Sequence, residues 1–261
     1  MEHVGLLGKN ISYSRSPEIH NKYYYEHGIQ LDYKIFDVNY DNISNFVKNL
    51  RINKIVGFNV TIPYKTEIIK YLDDIDSSAD IIGAVNTVLV TNEKLIGYNT
   101  DYYGFIKSLG ISGFNVNSKT ALIIGNGGSA RCIFTALKDL NIKSIHVIAR
   151  DTLKSKANLH GADIFLNLSD YQDGINLEPY DIVVNCTPIG GPNYIHDKLF
   201  NITKVNPDAL VYDINYGNKE SQLLSQARQK GAQVMNGSLM LKNQAVKAMN
   251  IWIDYLSERG K

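Results

Sequence analysis

The sequence predicts an α/β protein of two units, and three observations carry that expectation. Its 261 residues suffice for two domains of ordinary size, each able to bury its own core. Short apolar runs alternate with helix-like stretches, the rhythm of helices packed on largely parallel sheets. A stretch from Gly110 to Ser118, carrying Gly and Ser, separates two series of such runs and reads as a linker.

In the first series, Val4 to Leu7, Tyr33 to Val38 and Val56 to Val60 read as strands, separated by helical segments at Pro17 to His27 and Ile43 to Leu50. Asp101 to Leu109 reads as a helix that precedes the linker. The second series places strands at Lys119 to Ile124, Ser144 to Ala149, Ile182 to Asn185 and Leu210 to Ile214. The domain boundary is expected between residues 101 and 118.

Apolar residues make up 44% of the chain, charged residues 20%, and the formal net charge is +1. That balance lacks the positive excess needed to grip a phosphate backbone, so nucleic acid is not expected as a partner. No apolar run approaches the roughly 20 residues of a membrane span, and Met1 to Lys9 carries no signal-peptide pattern. A cytoplasmic location is expected. Cys132 and Cys186 do not have the spacing of a metal site or redox pair and read as buried thiols, and the six histidines show no paired spacing for zinc, so no metal is expected.

The second series opens with Leu122-Ile123-Ile124 running into Gly125-Asn126-Gly127-Gly128-Ser129-Ala130 and a helical stretch to Leu140. Strand, glycine turn and helix in that order suit a dinucleotide. Glycines let the backbone approach a pyrophosphate, amides of the helix N-terminus meet its charge, and a small residue such as Ala130 allows close helix–strand packing. After the next strand, Arg150 follows Ala149, and Lys154 comes one helical turn later. Two cations there suit a 2′-phosphate and thus NADP(H), whereas Asp151 beside them is the residue type that accepts a ribose hydroxyl and permits NAD.

Chemistry is expected from the first series. Gly57 to Lys65 reads as a strand running into a helix with Pro63 at its first position, which puts Lys65 in the first turn, where the helix dipole disfavours an ammonium. Asp101 stands just ahead of a helix, where it is either an N-cap or a carboxylate paired with Lys65 across a cleft. Ser14 and Ser16 precede Pro17 and a helix. Ser16 suits a cap, and the two hydroxyls equally suit a substrate carboxylate at a helix N-terminus.

With those residues in place, the chain resembles the shikimate dehydrogenases from residue 5 to about residue 250. The resemblance rests on Ser14-Arg15-Ser16-Pro17, Asn59-Val60-Thr61-Ile62-Pro63-Tyr64-Lys65, Gly83-Ala84-Val85-Asn86-Thr87 and Gly97-Tyr98-Asn99-Thr100-Asp101. It continues through Asn185-Cys186-Thr187-Pro188-Ile189-Gly190, Asp213-Ile214-Asn215-Tyr216 and the block from Gly237 to Gln244.

The resemblance implies an N-terminal α/β substrate domain over 1–101, completed by C-terminal helices at 237–261. It also implies a Rossmann-like NADP domain over 102–236, with the active site in the interdomain cleft. It implies NADPH-dependent, reversible reduction of 3-dehydroshikimate to shikimate, a step toward chorismate and aromatic amino acids, by a monomer or homodimer. Lys65 and Asp101 would be the catalytic pair, with either as proton donor. Ser14, Ser16, Asn59, Thr61, Asn86, Tyr216 and Gln244 would join them in holding the substrate. On the cofactor, Gly125, Asn126, Gly127, Gly128, Ser129 and Ala130 would meet the pyrophosphate, and Ala149, Arg150 and Lys154 the 2′-phosphate end. Thr187, Ile214, Gly237 and Met240 would lie near the nicotinamide.

Three positions depart from the family pattern: Ala149 replaces an Asn, Gly191 stands where Met is common, and Asn218 replaces a Pro. The last two fall in loops near the expected nicotinamide side. Three rival readings stay open: a quinate/shikimate dehydrogenase using NAD, a dehydrogenase of another cyclic hydroxy acid, and a silent dinucleotide sensor. Tyr194 and Lys198 have the spacing of short-chain dehydrogenases, but follow Gly190, Gly191 and Pro192 in an expected loop.

Overall fold

The computed structural model describes residues 1–217 and 219–259. The chain divides into two compact units, Met1–Gly104 with Lys242–Lys261, and Phe105–Leu241. Both divisions fall within helices, after residues 104 and 241, and residues 110–112 that read as linker continue the first of those helices.

The first unit holds strands β1 (Glu2–Gly8), β2 (Leu31–Asp37), β3 (Gly57–Val60), β4 (Asp74–Ile75), β5 (Thr87–Val90) and β6 (Leu95–Tyr98) in the order β2-β1-β3-β5-β6-β4. Helices α1 (Ser16–Glu26), α2 (Ile43–Lys48), α3 (Ser77–Ile82) and the start of α4 (Thr100–Ser112) accompany them. This sheet is mixed: β5 runs antiparallel to β3 and β6. The β5–β6 hairpin is fastened by a hydroxyl, because Thr91 Oγ1 accepts from the amides of Glu93 and Lys94.

One face of the sheet buries Leu7, Phe58, Val60 and Val88 with Ile43 of α2. Its other face buries Val4, Leu6 and Tyr33 against Tyr24 of α1 and against Ala245, Ala248, Met249 and Trp252 of the C-terminal helix. The Trp252 indole donates to the Val88 carbonyl at 3.0 Å, and Gly57 allows that approach, since a Cβ there would overlap the indole. The aromatic run in α1 divides by face, with Tyr24 buried in the core and Tyr25 exposed.

The second unit holds β7 (Thr120–Ile124), α5 (Gly128–Asp139), β8 (Ser144–Ala149), α6 (Thr152–Asn158), β9 (Ile164–Asn167) and β10 (Ile175–Asn176). It continues with β11 (Ile182–Asn185), β12 (Ile202–Lys204), β13 (Leu210–Asp213), α7 (Gln222–Gln229), β14 (Gln233–Asn236) and α8 (Ser238–Arg259), whose later part belongs to the first unit. Strands β10 and β12 form a separate pair. The main sheet is parallel throughout, in the order β14-β13-β11-β7-β8-β9. Of its four inner strands, β7, β11 and β13 are almost wholly buried, as strands covered on both faces must be.

Counted from β7, this is the Rossmann order, with the reversal between β7 and β11, where the crevice at the strand ends accepts a ligand. Cys132 and Cys186 are thiols; Cys186 is half-buried, a correction to the expectation that both are core. No helix among the described residues is long and apolar enough to cross a membrane.

Candidate active site

In the first unit, Lys65 and Asp101 meet. Lys65 Nζ donates to Asp101 Oδ2 at 2.5 Å, and both side chains are mostly buried, 16% and 11% exposed. An ion pair so withdrawn from water gains little net stability, because desolvation offsets the attraction, so its presence points to chemistry.

The local structure around both residues differs from the expected one. The Ile62–Pro63 peptide is cis, and residues 62–67 form turns, with a short 3-10 helix only from Ile68 to Tyr71. Lys65 is therefore held in a turn, with no helix dipole set against its ammonium. Proline suited the start of a helix as a trans residue, but cis X-Pro suits a tight turn. The turn is anchored by the Val85 amide, which donates to the Lys65 carbonyl at 2.8 Å.

Asp101 is not a cap. It is the second residue of α4, and Asn99 takes the capping place, its Oδ1 accepting from the Tyr102 amide at 3.3 Å while its Nδ2 donates to the Ala84 carbonyl. That arrangement leaves the Asp101 carboxylate to Lys65. Ser16 is not a cap either: it is the first residue of α1, and Ser14 Oγ accepts from its amide at 3.2 Å. The two hydroxyls are also hydrogen-bonded to each other.

A buried polar chain runs beneath this site. Asn21 clamps Tyr33 by two hydrogen bonds to its backbone, and the Tyr33 hydroxyl donates to Asn59 Oδ1 at 2.8 Å. Asn59 Nδ2 donates to the Asn86 carbonyl and to Thr87 Oγ1. Asn86 Oδ1 accepts from the Thr100 amide at 2.7 Å, and Thr100 Oγ1 donates to Gln244 Oε1 at 3.2 Å. The chain thus joins Asn59, Asn86 and Gln244 and turns the Gln244 amide so that Nε2 remains as a donor. Thr61, at the end of β3, donates its amide to the Leu7 carbonyl.

His20 lies at the other end of this chain, stacked on Tyr33 with ring centroids 4.0 Å apart and accompanied by Tyr24 at 3.1 Å. Burial pushes its imidazole down to about 3, so the ring is neutral at ordinary pH. The sequence assigns no role to Asn21 and Tyr33, nor to Thr87, Asn99 and Thr100 within their motifs, since buried polar residues show no periodic signal.

In the second unit, Gly125 follows β7 with a left-handed φ of 109°, a conformation side chains disfavour. A Cβ at Gly125 would stand 3.0 Å from Thr187 Cγ2, so the loops after β7 and β11 are neighbours. Gly127 precedes α5 and provides no side-chain cap, and a Cβ there would meet nothing within 4 Å. Open space over a helix N-terminus fits a pyrophosphate. Ala130 is fully buried, as close helix–strand packing requires.

Asn126 and Asn158 tie the glycine loop to α6: Asn126 Nδ2 donates to the Asp151 carbonyl and to Ser155 Oγ, and Asn158 Nδ2 donates to the Asn126 carbonyl. Arg150 and Lys154 are exposed beyond β8. Asp151 caps α6, its Oδ1 accepting from the Lys154 amide at 2.9 Å. The Asp151 carboxylate is thereby engaged by the backbone.

At the ends of β11 and β13, Asp213 Oδ1 accepts from Asn185 Nδ2 and from the amide and side chain of Asn215. Burial pushes the Asp213 carboxyl above its ordinary value, opposed by hydrogen bonds from Ser221, Asn215 and Asn185. Ile214 is half-buried and Met240 buried. Gly237 fits tightly, since a Cβ there would overlap the Ile214 carbonyl. Tyr216 lines a pocket in this unit with Asp213, Asn215 and Asn236. Asn218 lies outside the described residues. The segment from Tyr194 to Lys198 is not α-helical, so those two side chains lack the helical register of a short-chain dehydrogenase.

Residues 6–88 match the family model of the shikimate dehydrogenase substrate binding domain. A Clostridium botulinum protein named shikimate dehydrogenase (NADP(+)) is 51% identical over 249 residues, 95% of each chain. Among solved structures, shikimate dehydrogenase 1 of Peptoclostridium difficile matches with a TM-score of 0.85 and 32% identity, over 97% of this chain and 92% of that one. Shikimate 5-dehydrogenase of Thermus thermophilus, solved in complex with NADP(H) and shikimate, matches with a TM-score of 0.83 and 26% identity, over 97% and 94%. With half its residues shared with such a relative across nearly the whole length, and the family's residues paired in its first unit, the chain belongs to the shikimate dehydrogenase family.

Proposed function

We propose that this protein reduces 3-dehydroshikimate to shikimate with NADPH, reversibly, and that the Lys65–Asp101 pair moves the proton. The observation that carries the reading is that pair, held at 2.5 Å in a largely dry setting by a turn and a helix start. NADPH, when bound, supplies the hydride that adds to the ketone carbon. The Lys65 ammonium stands ready to give a proton to the oxygen on which negative charge develops, and Asp101 holds that ammonium in place. In the reverse direction the same pair takes the proton from the shikimate hydroxyl.

Ser14 and Ser16 hold the substrate carboxylate, and Asn59, Thr61, Asn86, Gln244 and Tyr216 complete its site. Asn59 acts largely through its neighbours, because both hydrogens of its amide go to Asn86 and Thr87. Gly125 to Ala130 receive the pyrophosphate, Arg150 and Lys154 the 2′-phosphate beyond Ala149, and Thr187, Ile214, Gly237 and Met240 the nicotinamide end. The engagement of Asp151 as a helix cap supports NADP over NAD.

A cytoplasmic enzyme, monomeric or homodimeric, accords with this reading, and two thiols suit a reducing compartment. The test is NADPH formation from shikimate and from quinate by the purified chain. Turnover of shikimate well above that of quinate is expected, and turnover of quinate alone, or of neither, would refute the assignment.

A further inference from the structure

Asn215 is the point at which three loops of the second unit are tied together. Its Nδ2 donates to the Thr187 carbonyl at 2.8 Å, the Ile189 carbonyl at 3.2 Å and Asp213 Oδ1 at 2.8 Å. Its own amide donates to Asp213 Oδ1 at 3.0 Å, and its carbonyl accepts from the Gly237 amide at 2.9 Å. One side chain and its peptide groups therefore fix the loops after β11, β13 and β14.

Three acceptors around Nδ2 also settle which way the amide faces, because reversing it would set Oδ1 against three oxygens. Oδ1 is then directed at Gly191. A Cβ on Gly191 would stand 2.8 Å from Asn215 Oδ1 and 3.0 Å from the Pro188 carbonyl, inside van der Waals contact. The backbone of Gly191 has no left-handed φ, so conformation does not explain the glycine. Room for Asn215 does.

We propose that Asn215 is a positioning residue for the nicotinamide end of the cofactor site, and that position 191 is glycine to admit it. The inference rests on the cofactor reading above, which assigns Thr187, Ile214 and Gly237 to that end. Asn215 touches neither ring nor substrate in this account; it holds the Thr187 and Ile189 carbonyls and the Gly237 amide at fixed separation, so that the loops present one rigid surface.

The test uses the full chain and the variants Asn215→Ala, Gly191→Ala and both together. Affinities for NADPH and for 2′,5′-ADP, a fragment without nicotinamide, are measured beside kcat, KM and Tm. Asn215→Ala is expected to weaken NADPH binding on the order of tenfold and to lower kcat, while the affinity for 2′,5′-ADP stays unchanged. Gly191→Ala should do the same with Asn215 present and add less once Asn215 is gone, since the shorter overlap is then relieved and only the Pro188 carbonyl contact remains. Unchanged NADPH binding in Asn215→Ala, equal loss of NADPH and fragment, or additive penalties would each overturn the inference. A wild-type chain that bound neither molecule would instead bring down the cofactor reading on which the inference stands.

Discussion

Lys65 illustrates how a side chain acquires a role from what surrounds it. Its partner Asp101 is inside α4 because Asn99 serves as the cap, and its own position comes from a turn anchored on Val85. Replacing Lys65 by Met should lower turnover by a factor on the order of 10² or more, the usual contribution of acid–base help, with NADPH affinity unchanged. Near-normal turnover in the variant would remove Lys65 from the chemistry. Since the change leaves a part-buried carboxylate without its cation, melting is to be measured alongside.

His20 makes a second prediction, about acid. Its ring is fully buried among Tyr24, Tyr33 and Trp252, and its Nε2 has no hydrogen-bond partner among the described residues. The native protein binds no proton there until about pH 3, whereas the unfolded side chain binds one near its ordinary 6.5. Between those values the unfolded state holds more protons, so this stability is fully present above the unfolded value and is lost as pH falls. The loss is about 1.4 kcal/mol per pH unit once the unfolded histidine is charged. Denaturant midpoints measured from pH 7 to 5 should decline less steeply in His20→Gln than in wild type, and parallel declines would contradict the account.

At the scale of elements, the start of α1 and the start of α6 carry the binding predictions and show what the sequence could and could not reveal. In the Ser14-Arg15-Ser16 stretch Ser16 suits a cap, but α1 begins at Ser16 with Arg15 in the cap place and no side-chain cap bond, and the Ser16 amide donates to Ser14 Oγ. Ser14→Ala loses that hydrogen bond and should cost about 1 kcal/mol of stability in addition to weakening shikimate binding. Ser16→Ala should weaken shikimate binding with less effect on melting. Unchanged shikimate affinity in both folded variants would place the carboxylate elsewhere.

The same ambiguity hid the role of Asn99, because Asn99, Thr100 and Asp101 are all capping types and the choice depends on where α4 begins. The parallel strands β7, β8, β11 and β13 were legible almost to the residue, since strands buried on both faces are continuous apolar runs. Strands β5 and β6 were not. Strand β5 begins on Thr87 of the polar chain, and the hairpin closes through Thr91 rather than a glycine turn. The helix expected around Lys65 failed because nothing local distinguishes a cis Pro63 from a trans one.

At the scale of the whole molecule, each unit is an α/β layer with its own core, and each carries one part of the proposed reaction. The first is closed by the C-terminal helix through Trp252 and Gly57, a long-range contact with no local signature. The second is a Rossmann-ordered sheet whose glycine loop, between β7 and α5, was visible in the sequence as glycines in the right order. What the sequence hid in both units is the polar wiring: the buried chain from Tyr33 to Gln244 in the first, and the links of Asn126 with Asn158 and of Asn185 with Asn215 through Asp213 in the second. These residues look like ordinary loop or strand-end polar groups until the fold brings their partners to them.

The central claim, an NADP-dependent enzyme of shikimate, is tested most directly by catalytic efficiency with NADP and with NAD, shikimate being the substrate. A planar guanidinium at Arg150 meeting a phosphate contributes roughly 1.5 to 3 kcal/mol, or about ten- to a hundredfold in affinity. Lys154, exposed, adds a smaller and salt-sensitive share. Wild type should prefer NADP by that margin, and the double variant Arg150→Ala with Lys154→Ala should lose the preference while keeping its activity with NAD. A wild type that turns over shikimate better with NAD, or a double variant that still prefers NADP, would contradict it.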